Sequence, residues 1–145
     1  MPRVSRVWEN LWVGGAAALA SEVDGNADML VLCAVEYQPD ASEFPNVTVV
    51  HAPMEDDEPT EQELATALTA SKTVADALQA GQRVWVTCLA GMNRSAFVAA
   101  LALRQLGWTP EDAIRALRDA RGPCALSNMW FEDIVLDLAL EDHTK

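Results

Sequence analysis

The run Met29 to Val35, MLVLCAV, constrains the fold of this chain more than any other stretch. Seven apolar residues in a row suit a strand covered on both faces, as in a parallel sheet with helices packed against it. The segments around it alternate in type. Val4 to Trp8 and Leu11 to Val13, separated by Glu9-Asn10, read as short strands, and Gly14-Gly15 opens an alanine-rich helical stretch to about Val23. Glu36 to Pro45 reads as loop. Val47 to His51 is a β-branched strand, closed by Ala52-Pro53 and the acidic loop Glu55-Asp56-Asp57-Glu58. Thr60 and Glu63 form a capping box, after which Leu64, Leu68, Ser71, Ala75 and Leu78 share one helical face until Gly81. Arg83 to Thr87 (RVWVT) is the last strand. An apolar helix then runs from Arg94 to Leu106, and Thr109-Pro110 opens another that carries Ile114 and Leu117 to Arg121. A final helix, about Asn128 to Leu140, presents Phe131, Val135 and Leu138 to the core. This order predicts an α/β fold: a central, mostly parallel sheet of about five strands flanked by helices.

The 145 residues match the usual size of one domain, so residues 1–145 are expected to form a single one. Half of them are apolar, which excludes global disorder. Ten Lys plus Arg against 22 Asp plus Glu leave a net charge of −12. A nucleic-acid or anionic-membrane surface needs a basic stripe, so neither is an expected partner, and any anionic ligand must be held by a local device. No apolar stretch is long enough to span a bilayer. Cys33, Cys88 and Cys124 are too few and odd in number for a secreted disulfide scaffold, which favours a reducing cytoplasm. Arg3 and Arg6 ahead of Leu11 to Ala20 imitate a leader peptide, but Glu9, Asn10 and two glycines interrupt it. A cytoplasmic monomer is the expectation.

Between the strand ending at Thr87 and the helix beginning at Arg94 lies Cys88-Leu89-Ala90-Gly91-Met92-Asn93. In such a loop the backbone N–H groups of Leu89, Ala90, Gly91, Met92, Asn93 and Arg94 can converge on an anion, and the helix terminus adds partial positive charge. Gly91 allows a turn or a close approach that a Cβ would block. Arg94 offers two parallel donors to two phosphoryl oxygens, a geometry that Lys lacks. Cys88, at the bottom, is useful only as a thiolate. An ordinary thiol is only about 3% ionised at neutral pH, and the devices around this one favour its charged form. The Ser95 hydroxyl can donate to the sulfur and ease its departure in a second step.

This C-x5-R-S arrangement resembles the signature of the cysteine-dependent protein phosphatases, and the chain is similar to their compact dual-specificity branch. Asn10-Leu11-Trp12-Val13-Gly14-Gly15 resembles the opening strand and turn of such domains, and Arg118, Arg121, Asn128 and Phe131 echo their last helices. The resemblance implies hydrolysis of phosphate monoesters without cofactor or metal, on phosphorylated peptides or small phosphomonoesters. Cys88 is then the nucleophile, Arg94 the phosphate clamp and Ser95 the donor to sulfur. It also implies a general-acid aspartate about thirty residues upstream. Asp56 stands 32 positions before Cys88, with Asp57 as a second chemical candidate. One position departs from the pattern, because Thr87 stands where the family usually has His.

Gly91-Met92-Asn93-Arg94-Ser95 also resembles the loop of the cysteine-type RNA 5′-triphosphatases, which work without the aspartate. A persulfide-transferring enzyme of the rhodanese type likewise places a cysteine at the start of an anion-cradling loop, although Arg94-Ser95 and an upstream Asp suit that chemistry less well. Thr87 in place of His also fits a weakly active phosphate-binding module. Among the remaining residues, Cys33 reads as buried filler, Cys124 as structural, with a redox disulfide to Cys88 as the alternative, and Arg118 and Arg121 as solvated helix-face residues, with contact of Arg121 to substrate as the alternative.

Overall fold

The computed structural model describes residues 4–15, 20–90 and 92–138. Five strands form one sheet: β1 (Val4–Trp8), β2 (Leu11–Gly14), β3 (Met29–Ala34), β4 (Thr48–Met54) and β5 (Val84–Thr87). Their order across the sheet is β1-β2-β5-β3-β4. β1 and β2 are antiparallel, joined through Glu9 at a positive φ of 35°, and every other pairing is parallel. The helices are α1 (Ala20–Val23), α2 (Glu61–Gln79), α3 (Arg94–Gln105), α4 (Pro110–Arg121) and α5 (Met129–Asp137). The mostly parallel five-stranded sheet expected from the sequence is what forms.

β3 shows why the apolar run is continuous. Met29, Val31 and Cys33 enter the main core with α2 to α5, whereas Leu30 and Leu32 enter a smaller cluster on the opposite face with Val23, Ala27 and Phe44. Side chains alternate across a strand, so both faces of β3 must be apolar. On β5, Val84 and Val86 likewise join the main core, and Cys88 continues on their face.

α3 is buried over nearly its whole length, which its apolar sequence permits, and Phe97 stacks on Phe131 of α5 at 4.3 Å between ring centroids. Such a pair adds about 1 kcal/mol beyond its buried area. α2 begins with the expected capping box: Thr60 accepts from Glu63 N–H, and the Glu63 carboxylate accepts from Thr60 N–H. The other Glu63 oxygen accepts from Glu55 N–H at 2.9 Å, so the same residue anchors the acidic loop. The hydrogen bond from Thr60 N–H is the main cause holding the Glu63 carboxyl below its ordinary pKa.

Three expectations need correction. The strand over 47–51 does not close at Ala52-Pro53 but runs as Thr48–Met54. β4 is an edge strand, where a proline costs no ladder hydrogen bond, and its register shifts beside Pro53. Arg121 is not on a solvated face. It is 4% exposed, and its guanidinium donates to Ser5 Oγ at 3.1 Å. Arg118 is half-buried, paired with Glu132 at 2.7 Å and bonded to the Ala125 carbonyl. Cys33 is fully buried as expected, whereas Cys124 is exposed. The expected helical stretch after Gly15 falls partly on residues 16–19, and Gly91 and residues 139–145 also lie outside the described residues.

Candidate active site

β5 inserts between β2 and β3, parallel to both, and β4 is parallel to β3, so the carboxyl ends of β3, β4 and β5 share one edge of the sheet. Glu36, Asp56 and Cys88 follow those three ends within two residues, and residues from all three meet there.

Cys88 is 5% exposed, and its Sγ lies 3.2 Å from Ser95 Oγ. Ser95 Oγ is also 3.3 Å from the Gly14 carbonyl. A hydroxyl has one proton, so it bonds to the carbonyl or turns to the sulfur once negative charge develops there. Leu89 and Ala90 direct their side chains outward, and Met92 is half-buried. The Met92 carbonyl accepts from Leu126 N–H at 2.6 Å, and Leu126 takes a positive φ of 61° to make that contact. Asn93 occupies the N-cap of α3 without capping it, because its side chain is turned elsewhere. The first N–H groups of α3 therefore have no side-chain cap, the condition under which a helix terminus takes an oxyanion.

Arg94 is 7% exposed. Its Nη1 donates to Glu36 Oε1 at 2.5 Å and to the Met54 carbonyl at 3.2 Å, and Nη2 donates to Glu36 Oε2 at 3.3 Å. A guanidinium has five N–H donors. Glu36 and Met54 take three, leaving among the described residues the Nε–H and the second Nη2–H, which form the side-on fork for two phosphoryl oxygens. Burial works against the charge of Arg94, but the Glu36 hydrogen bond, aided by Cys88 and Asp56, raises its pKa overall. The Glu36 carboxyl is in turn held below its ordinary range, chiefly by the Arg94 hydrogen bond.

Asp56 is exposed, and both of its carboxylate oxygens accept amide N–H groups: Asn93 Nδ2 at 3.0 Å and Asn128 Nδ2 at 2.8 Å. The amide orientations follow from the network. Asn93 Oδ1 accepts from Asn128 N–H, and Asn128 Oδ1 accepts from Trp130 and Phe131 N–H at the start of α5, so both NH2 groups face Asp56. Each carboxyl oxygen keeps a second lone pair for a proton in transit. Asp57 instead turns its carboxylate to Glu58 N–H at 2.7 Å. The structure thus joins Asp56, not Asp57, to the loop that carries Cys88 and Arg94.

Thr87 is buried, and its hydroxyl donates to the Val31 carbonyl at 3.3 Å rather than towards the sulfur. A second buried cation is within electrostatic reach: burial lowers the Arg121 pKa, and negative charge on Cys88 opposes that. Burial, with Cys88 adding to it, pushes the Cys33 thiol pKa well up, so it stays protonated. Sequence reasoning passed over Glu36 and the Nδ2 of Asn128. Among the described residues, no group of His, Cys, Asp and Glu is arranged to hold a metal ion.

A buried cysteine and a buried guanidinium meet at the carboxyl edge of the sheet, beside a helix start without a side-chain cap, an arrangement suited to an oxyanion. Residues 17–139 match the family described as dual specificity phosphatase, catalytic domain, and the chain belongs to that family, among the protein-tyrosine and dual-specificity phosphatases. Tk-PTP in its active form superposes with a TM-score of 0.77 at 20% identity, covering 92% of this chain and 94% of that one. Human DUSP28 gives 0.71 at 25% identity, covering 93% and 96%. PTPMT1 in complex with PI(5)P gives 0.71 at 22% identity, covering 92% and 97%. No curated protein matches the sequence.

Proposed function

We propose that this chain hydrolyses phosphate monoesters of phosphoproteins through a cysteinyl-phosphate intermediate on Cys88, as a single cytoplasmic, monomeric catalytic domain. The observation that carries this reading is the open side-on fork of Arg94, fixed by Glu36 beside Cys88 and the uncapped start of α3. The Cys88 thiolate attacks phosphorus in line, the ester oxygen leaves, and Asp56 gives it a proton. Water then attacks the phosphocysteine with Asp56 as base, and the Ser95 proton turns to the departing sulfur. Arg94 and the loop N–H groups from Leu89 to Arg94 hold the equatorial oxygens, and their hold strengthens as charge shifts in the transition state. Every proton and electron pair in these two steps is supplied by the chain, the ester and water. Among the described residues no helix is long and apolar enough to cross a membrane.

The test is p-nitrophenyl phosphate turnover. Cys88→Ser is expected to lower kcat by at least about 10⁴-fold while the protein still binds inorganic phosphate. Rapid acid quench of the unaltered enzyme is expected to trap phosphate on Cys88. Retention of substantial turnover in the variant removes the nucleophile. Asp56→Asn is expected to cost about 10²-fold for an alkyl phosphate but far less for nitrophenyl, whose oxygen leaves without help. An unchanged leaving-group dependence, with Asp57→Asn damaging instead, moves the acid one residue along.

A further inference from the structure

Two hollows follow one another beside the candidate acid. The first, about 390 Å³, opens between the acidic loop and the start of α5, with Asp56 and Asn93 on one wall and Met129, Trp130 and Asp133 on the other. It shares Asp56 and Asn93 with the site above, so a chain extending from a phosphoryl group held there can cross it. The second, about 460 Å³, continues beyond Trp130 and Asp133 and adds Glu58 and Asp137 to an apolar floor. Neither hollow is lined by a lysine or arginine.

Charge and polarity here do not cancel as they do nearby. On α5, Glu132 is consumed by Arg118 at 2.7 Å. Asp133 and Asp137 on the same helix, and Asp57 and Glu58 opposite, take part in no ion pair among the described residues. Between them Trp130 is 49% exposed and Met129 73% exposed. Unpaired carboxylates around an open indole match one kind of side chain: a cation on an apolar stem, which lays its methylenes on the hydrophobic wall and its charge on the acids and the ring face.

We propose that this trough receives the segment flanking the phosphorylated residue of a peptide substrate and selects lysine or arginine there. The proposal rests on the phosphatase reading of Cys88 and assigns that site its substrate class. A polyanion such as a phosphoinositide headgroup carries further negative charges against Asp57 and Asp133, and the trough disfavours it.

The experiment compares two phosphotyrosyl peptides of equal length, one with arginines flanking the phosphotyrosine and one with glutamates. The parallel probes are p-nitrophenyl phosphate, which is too short to cross the trough, and a phosphoinositide in phosphatidylcholine vesicles. The arginine peptide is expected to have a kcat/KM about tenfold higher than the glutamate peptide, mainly through KM. Raised salt shrinks the ratio. In the double variant Trp130→Ala, Asp133→Asn the ratio falls towards one, and because both peptides meet the same preparation, a general loss of activity cancels. A ratio near one in the unaltered protein, a ratio unmoved in the variant, or faster turnover of the phosphoinositide than of the arginine peptide overturns the proposal. Should p-nitrophenyl phosphate not be hydrolysed, it is the catalytic reading that has failed. Calorimetric binding of the two peptides to Cys88→Ser then decides the trough separately, with tighter arginine-peptide binding supporting it and equal binding overturning it.

Discussion

Asp28 and Arg83 stand before β3 and β5, and Glu36 and Arg94 stand beyond the other ends of the same two strands. Each pair is a carboxylate and a guanidinium, yet the arginines are used in opposite ways. Arg83 presents its side-on fork to Asp28, with Nε at 3.2 Å and Nη2 at 3.1 Å, and spends Nη1 on the Gly25 carbonyl. Its backbone N–H also goes to Asp28. Arg94 meets Glu36 end-on and leaves its side-on fork unbonded among the described residues. Arg83 is 40% exposed and Arg94 only 9% at the side chain. The first pair ties two strands together at the surface. The second aims a cation, and the ion pair there is a means of orientation.

The sharpest way to break that contrast is to put lysine at both positions. Arg94→Lys is expected to lower kcat on p-nitrophenyl phosphate by about 10² to 10³-fold, because one ammonium cannot hold Glu36 and two phosphoryl oxygens together. Arg83→Lys is expected to leave kcat unchanged. Equal rates in the two variants would show that the Arg94 fork does not face substrate. A smaller effect follows for the carboxylate: Glu36→Gln keeps the size but loses the charge that orients Arg94, and about a tenfold loss in kcat with weaker phosphate binding is expected.

What the sequence revealed divides along the same line. Cys88, the loop and Arg94 are consecutive, so their chemistry was legible as one local pattern between a strand and a helix. The continuous run over β3 was legible because strand periodicity places its alternate residues in two clusters, both apolar. Glu36 was not, because its meeting with Arg94 spans 58 residues and depends on β5 entering the sheet beside β3. Asn128 was legible as the start of the last helix, and its Oδ1 caps that helix. The contact of its Nδ2 with Asp56, 72 residues away, needs α5 packed against the acidic loop. Arg121 resembled a solvated residue because nothing local announces that α4 lies along β1, where Ser5 meets it. Pro53 resembled a strand terminator because edge position is a property of strand order.

The smallest expected effect belongs to Asp28. Its carboxyl pKa is held below the ordinary 3.8, first by the side-chain hydrogen bond from Arg83 and then by that residue's backbone N–H. A depressed folded-state value means that the pair contributes stability above the unfolded value near 3.8 and loses it as pH falls through the lower folded value. Solvent screens a pair exposed to this degree, so Asp28→Asn is expected to cost under about 1 kcal/mol at neutral pH. Urea unfolding of the two proteins should therefore show a small gap at pH 7 that closes below pH 3.8, with kcat unaffected at neutral pH. A gap that persists in acid assigns the loss to packing or to the neutral hydrogen bonds. A fall in kcat at neutral pH would show that the two ends of the β3–β5 pair are coupled through the sheet, and that the surface tie helps aim the arginine at the other end.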